Sequence, residues 1–232
     1  MILLALDSTA VVATAALVKD GKVLAADTLN CGKTHSETLL PLIEALYQQV
    51  GIKPSETDLF ACSAGPGSFT GVRIGTALIK GMAFGGKPCI GVSTLEALAE
   101  NLSDRNGLIV PVMDARRGQV YNALFMAENG TLTRLTPDRI IMLDELKVEL
   151  SQYTVPLYFC GDGYQLAIQA ISHPSLMKTP QDRIMQNAVS VAKVALRNYG
   201  KGKALTDREL RPIYLRAPQA ERERNEKLNQ TT

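Results

Sequence analysis

The chain has 232 residues, 46% of them hydrophobic, and its charges nearly cancel, with 25 Lys and Arg against 23 Asp and Glu for a net charge of +2. That length builds one large domain or two small ones with a real core. The charge balance argues against a protein that grips nucleic acid broadly by itself, and no run of about 18 apolar residues offers a membrane span.

Ile2–Leu6 is a short apolar strand stopped by Asp7-Ser8-Thr9. No basic region precedes it, so a signal peptide is not expected and a cytoplasmic location is. Val11–Val18 reads as a second strand, Asp20-Gly21 as a hairpin turn, and Val23–Asn30 as the returning strand. A helix follows over Ser36–Val50, with Thr34 and Glu37 at capping-box spacing and His35 as a cap neighbour. Pro41 lies inside that pattern and predicts a kink or a late start. Leu59–Ser63 is a fourth strand, after which "AGPGSFTGVRIGTALIKGMAFGG" opens a second helix near Thr70. Cys89–Val92 is a short strand, and Ser93 with Glu96 predicts the start of a third helix.

The plan then repeats. Leu108–Met113 is a strand stopped by Asp114-Ala115-Arg116; Gln119–Ala127 is a strand; Asn129-Gly130 is a hairpin turn leading to a return from Thr131. "LDELKVELSQ" is a helix, Leu157–Cys160 a strand ending in Gly161-Asp162-Gly163, and another helix starts near Tyr164. "LLALDST" answers "VPVMDAR", and "FACSAGPG" answers "LYFCGDG". The order β-β-β-α-β-α thus occurs twice, and nearly continuous apolar strands suit sheets covered on both faces. The reading is a duplicated α/β protein of two lobes: residues 1–104 form the first, residues 105–205 the second, and residues 206–232 a returning segment and a charged, flexible tail. Cysteines 31, 62, 89 and 160 form no CxxC pair and read as reduced thiols of an intracellular protein, mostly in the core.

Duplication of this kind resembles the actin/Hsp70/sugar-kinase (ASKHA) superfamily. "LALDST", "HSETLLPLIEAL", "GPGSFTGVRIGTALIKGMA", "GVSTLEALA", "MDARRGQVYNALF" and "PIYLR" together resemble the bacterial TsaB family, also called YeaZ, from Ile2 to about Arg216. The resemblance implies a non-catalytic subunit of the machinery that makes threonylcarbamoyladenosine in tRNAs reading codons that begin with A. Implied partners are a TsaD-type catalytic paralogue, a TsaE-type ATPase and a second copy as homodimer, with tRNA met only within the complex. The catalytic paralogue carries its metal on His-x-x-x-His within a segment like "GVNHLEGH"; here "GVSTLEAL" puts Thr94 and Leu98 at those positions, so neither metal binding nor catalysis is expected.

No cofactor is expected, although the superfamily's phosphate turns correspond to Asp7, Ser8, Thr9, Asp114 and Arg116, which leaves weak or vestigial ATP binding open, with "CGDGYQ" able to approach an adenosine. Two helices carry more apolar surface than one lobe needs. Leu39, Leu42, Ile43 and Leu46 form one stripe; Gly71, Ile74, Gly75, Leu78 and Met82, beside Arg73, form the other. In the family these helices pack against the partner's. The glycines then admit a close helix, and Gly75→Leu is expected to abolish pairing while the chain still folds. A small ATP-dependent kinase of the same superfamily, or a free-standing regulatory homodimer, are the alternatives.

Overall fold

The computed structural model describes residues 1–216; the charged tail from residue 217 lies outside the described residues. The first sheet has the order β3-β2-β1-β4-β5, made by β1 (Ile2–Asp7), β2 (Ala13–Lys19), β3 (Lys22–Leu29), β4 (Leu59–Gly65) and β5 (Cys89–Ser93). β1 pairs antiparallel with β2 and parallel with β4. Alternation along β1 sorts its residues onto two faces. Leu4 and Leu6 face α1 (His35–Val50) and α2 (Phe69–Met82), while Leu3 and Ala5 face the opposite layer.

In the second sheet β6 (Gly107–Arg116) takes the place of β1. β7 (Gln119–Asn122) and β8 (Phe125–Glu128) run along β6 in one register, Val112 opposite Asn122 and Ile109 opposite Phe125. The strand expected over Gln119–Ala127 is therefore present but interrupted at Ala123-Leu124. β9 (Thr131–Arg134) pairs with β8 and β10 (Arg139–Met142) with β7, while β11 (Leu157–Cys160) lies parallel to β6. α4 (Leu143–Leu150) and α5 (Tyr164–Ala170) cover one face through Leu146, Leu150 and Ala167. The two halves thus repeat one plan, antiparallel strands beside a central strand with a parallel strand on its other side, in a duplicated two-lobe α/β fold.

Their last helices are exchanged. α3 (Thr94–Glu100) follows the first sheet but buries Leu95, Leu98 and Ala99 against Ile109, Met113 and Cys160 of the second lobe. α6 (Ala188–Gly200) follows the second sheet but buries Val191, Ala192 and Val194 against Leu3, Ala5, Leu59 and Ala61 of the first. The boundary expected at residue 205 is corrected: the chain rejoins the first lobe at Ala188. Composition hides this because α6 is as amphipathic as a helix of either lobe would be.

Asn101 ties the exchanged helices together. Its Nδ2 donates to the carbonyls of Arg183 (3.1 Å) and Met185 (2.8 Å), and its Oδ1 accepts from Ser190 Oγ at 2.7 Å. Beside it, Arg197 of α6 pairs with Glu100 of α3 at 2.6 Å. Asn101→Ala strands these groups without partners, and is expected to cost roughly 2–3 kcal/mol. The thermal midpoint should fall by roughly 4–10 °C.

Three other local expectations are corrected. α1 begins at His35, with no late start, and continues past the exposed Pro41 to Val50. Its start is fixed by Glu37, whose carboxylate accepts from Thr34 N (3.1 Å) and Oγ1 (2.6 Å). α2 begins two residues earlier than Thr70 suggests, with Ser68 as its cap accepting from Gly71 N at 3.3 Å. His35 is more than a cap neighbour: its Nε2 is 2.7 Å from the carbonyl of Ala10 and joins α1 to the turn after β1.

Candidate functional site

Two features could carry function: the outer face of α1 and α2, and the cleft between the lobes. On α1, Leu39, Leu42, Ile43 and Leu46 are all under 5% exposed and pack on Leu4, Leu17 and Phe60. They are core rather than surface, a correction to the stripe read from spacing. The outward side of α1 carries Leu40, which is 46% exposed, between Pro41, Glu44 and Gln48.

On α2 the inward side is Val72, Gly75, Thr76 and Ile79. A Cβ on Gly71 would lie 1.9 Å from the carbonyl oxygen of Ser8, and one on Gly75 would lie 2.5 Å from Ser8 Oγ and 3.0 Å from Leu6 Cδ1. The helix rests directly on the turn after β1, and Ser8 Oγ donates to the Gly71 carbonyl at 2.9 Å. Gly71 admits the protein's own backbone and Gly75 its own Ser8 and Leu6 side chains, not a partner's helix. The expectation that Gly75→Leu spares the fold is corrected accordingly.

What remains outside is Arg73, Ile74, Ala77, Leu78, Gly81 and Met82. Ile74, Leu78 and Met82 are half-buried along the edge of the core. Between α1 and the end of α2, Leu40, Ile43, Tyr47, Ile52 and Met82 line a groove of about 650 Å³. Phe84, 81% exposed, follows directly after α2. Sequence spacing counted Leu40 only as widening the α1 stripe, and missed Ala77 and Phe84. Helix register around Ile79, the most central apolar residue of α2, would have put Ala77 outside.

The cleft between the lobes has a volume of about 840 Å³. Both predicted phosphate turns reach it, through Thr9, Asp114 and Arg116. The first is turned inward. Asp7 and Thr9 are fully enclosed, and Asp7 Oδ1 accepts from Thr9 N (2.8 Å) and Thr9 Oγ1 (2.7 Å). With Ser8 bonded to Gly71, both hydroxyls are spent within the protein. Burial pushes the Asp7 carboxyl above its usual value, against the lowering by its Thr9 bonds.

In the second turn Asp114 accepts from Arg116 N at 2.7 Å and from Arg116 Nη1 at 3.1 Å. Arg116 and Arg117 both have left-handed backbones, with φ of 67° and 57°. Each costs about 1–2 kcal/mol for a residue with a Cβ. The Gly161-Asp162-Gly163 turn packs on β6, where a Cβ on Gly161 would lie 2.2 Å from the Val112 carbonyl, and Asp162 lines the cleft. Burial pushes the Asp162 carboxyl up to about 6, helped by the neighbouring Asp114 charge, and Asp162 Oδ1 has no hydrogen-bond partner.

Thr94 and Leu98 are both sealed in the interior, at 0% and 1% exposure. Among the described residues no cluster of three or more His, Cys, Asp or Glu is arranged to hold a metal ion, and none of the helices is long and apolar enough to cross a membrane. Ser8 and His35 are neighbours but form no nucleophile–base pair, since the Ser8 hydroxyl points to Gly71. Cys62, Cys89 and Cys160 are buried and Cys31 is exposed, all four as free thiols. Burial pushes the Cys62 thiol up to about 12 and Cys89 to about 11. Such thiols are protonated and unreactive at neutral pH.

A family model described as "TsaD: tRNA N6-adenosine threonylcarbamoyltransferase" matches residues 29–207. The chain is 34% identical to the tRNA threonylcarbamoyladenosine biosynthesis protein TsaB of Bacillus subtilis, over 95% of this chain and 96% of that one. With the protein of the same description from Escherichia coli it shares 29% identity over 93% and 95% of the two chains. A solved Pseudomonas aeruginosa structure described as similar to the peptidase YeaZ has the same fold, with a TM-score of 0.81 at 24% identity, covering 93% of this chain and 99% of that one.

Proposed function

Because this chain belongs to the TsaB (YeaZ) family of tRNA threonylcarbamoyladenosine biosynthesis proteins, we propose that it serves that modification as a non-catalytic subunit. It docks a TsaD-type catalytic paralogue and works with a TsaE-type ATPase. It moves no group itself and calls for no cofactor. tRNA is met only within the assembled complex.

The observation that carries this reading is the apolar outer side of α1 and α2. Leu40, Ile74, Leu78 and Met82 keep surface in water beside a groove that the described residues do not fill. Burying such a strip against a partner is worth about 25 cal/mol per Å² of apolar surface. The enclosed Thr94 and Leu98 agree with a subunit that leaves chemistry to its paralogue. The same strip can bury itself against a second copy, so homodimer and heterodimer compete for one surface.

Ala77→Glu and Leu78→Glu put charge on that strip. Ala77 is exposed, so its substitution leaves the core untouched. Each variant is expected to weaken binding of the TsaD-type paralogue at least about 30-fold, as for an interface hot spot. Mass-resolved chromatography of the mixed proteins reads this directly. Co-elution of both variants at full stoichiometry would overturn the docking face, and tRNA modification by the isolated chain would overturn the non-catalytic role.

A further inference from the structure

After α6 the chain returns along the first lobe, where Leu205 pairs with Cys89 and Leu210 is buried in the core. Its last described residues then leave that lobe and cross the mouth of the cleft. Ile213 N donates to the Ala64 carbonyl of β4 at 2.7 Å. Tyr214 stacks on Phe69 with ring centres 4.7 Å apart, and its hydroxyl accepts from Arg73 Nε at 2.9 Å. The Arg73 guanidinium lies 3.7 Å above the Phe69 ring, closing a three-part stack on α2. Two residues on, Arg216 Nη1 donates to the Ala115 carbonyl of β6 at 2.7 Å, and Nη2 donates to Gln119 of β7.

Four consecutive residues thus hold both lobes at once and form one wall of the cleft. The Arg216 contacts fall on either side of Arg116-Arg117-Gly118, three successive left-handed residues. Strain of this kind persists only where surrounding contacts over-determine it, and Arg216 supplies two of them.

We propose that Ile213–Arg216 is an interlobe strap that sets the opening of the cleft, anchored to the first lobe by the Phe69–Arg73–Tyr214 stack and to the second by Arg216. The exchanged helices join the lobes through their buried faces, and the strap adds a second tie between the lobes along the cleft. Arg73 and Arg216 are positioning residues, acting through the segment they hold. Arg73 also adjoins Ile74 on the outer side of α2, so a partner seated there touches the strap's anchor.

The test uses the full chain alone, diluted until chromatography shows a monomer, and so stands apart from the docking reading. Cys31, the exposed native thiol of the first lobe, and Ser151→Cys in the second take a pair of spin labels. Against that labelled parent, Arg216→Ala and Arg73→Ala are each expected to broaden the interlobe distance distribution toward longer values. Amide exchange across Ala115–Gln119 should rise roughly tenfold, the fold-change of losing a charge-assisted contact. Leu78→Glu, which leaves the strap intact, should change neither reading. Both can be judged because neither arginine is in the core. An unaltered distance distribution in both arginine variants, with unaltered exchange in the turn, would overturn the strap.

Discussion

Gly71→Ala is expected to cost the fold on the order of 3–5 kcal/mol, or to prevent folding outright. The added methyl would sit 1.9 Å from the carbonyl oxygen of Ser8 and 3.0 Å from its carbon. Both sides of that clash are backbone, so no rotamer change relieves it. α2 would have to lift from the turn after β1, losing the Ser8–Gly71 hydrogen bond and the packing of Ile79 behind it. Gly75→Ala should be milder, because its neighbours are the ends of the Ser8 and Leu6 side chains. Gly81 is the internal control. It is exposed, and a Cβ there meets nothing within 4 Å. Gly81→Ala should therefore stabilise by about 1 kcal/mol through helix propensity alone. Urea unfolding of the three variants separates these cases; a Gly71→Ala protein as stable as its parent would show that α2 does not rest on β1 as described.

Asp162→Asn should stabilise the protein by roughly 2–3 kcal/mol at pH 8 and by nothing at pH 3. The carboxyl of Asp162 is pushed from an ordinary value of 3.8 to about 6 by burial beside Asp114. A raised acid pKa means that the folded state holds its proton more tightly than the unfolded chain. Stability from this group is therefore complete below about pH 4, falls as pH rises toward 6, and is lost above that. Asparagine keeps the shape and removes the charge, so the parent's decline between pH 4 and 6 should flatten. Asp7, also raised by burial, acts with the same sign and leaves a residual slope. Thermal midpoints across pH 3–8 check this: an identical slope in the variant would assign the whole decline to other groups.

Much of this architecture was legible in the residues. β1, β4 and β5 are apolar runs ended by turn residues, and two Asp-or-Asn-Gly pairs mark hairpins where they occur. The repeat showed itself because each half must stop its first strand with an aspartate turn and its fourth with glycines. What could not be read was which surface each face meets. Gly71 and Gly75 share a face with Ile74 and Leu78 by counting, yet the helix rolls so that the glycines touch Ser8 while Ile74 and Leu78 stay at the edge. Leu39, Leu42, Ile43 and Leu46 form a stripe that looks equally fit for a partner or a core; the β1, β2 and β4 side chains beneath them decide it. Pro41 misled only on the start of α1, which begins six residues before it because Glu37 caps it there. "PIYLR" marked Arg216 but not what it holds, since its partners, Ala115 and Gln119, lie about a hundred positions earlier in the chain.

The swap of α3 and α6 has a consequence for how the molecule is made. As the polypeptide leaves the ribosome, Leu3, Ala5, Leu59 and Ala61 emerge early, but the helix that covers them is not synthesised until Ala188. One side of the earliest sheet therefore stays bare and sticky through most of translation, and a gene divided between the two sheets would yield two fragments, each missing its own lid. Contacts between such distant stretches of chain slow folding, so final closure belongs to the end of synthesis, when the two halves can shield each other.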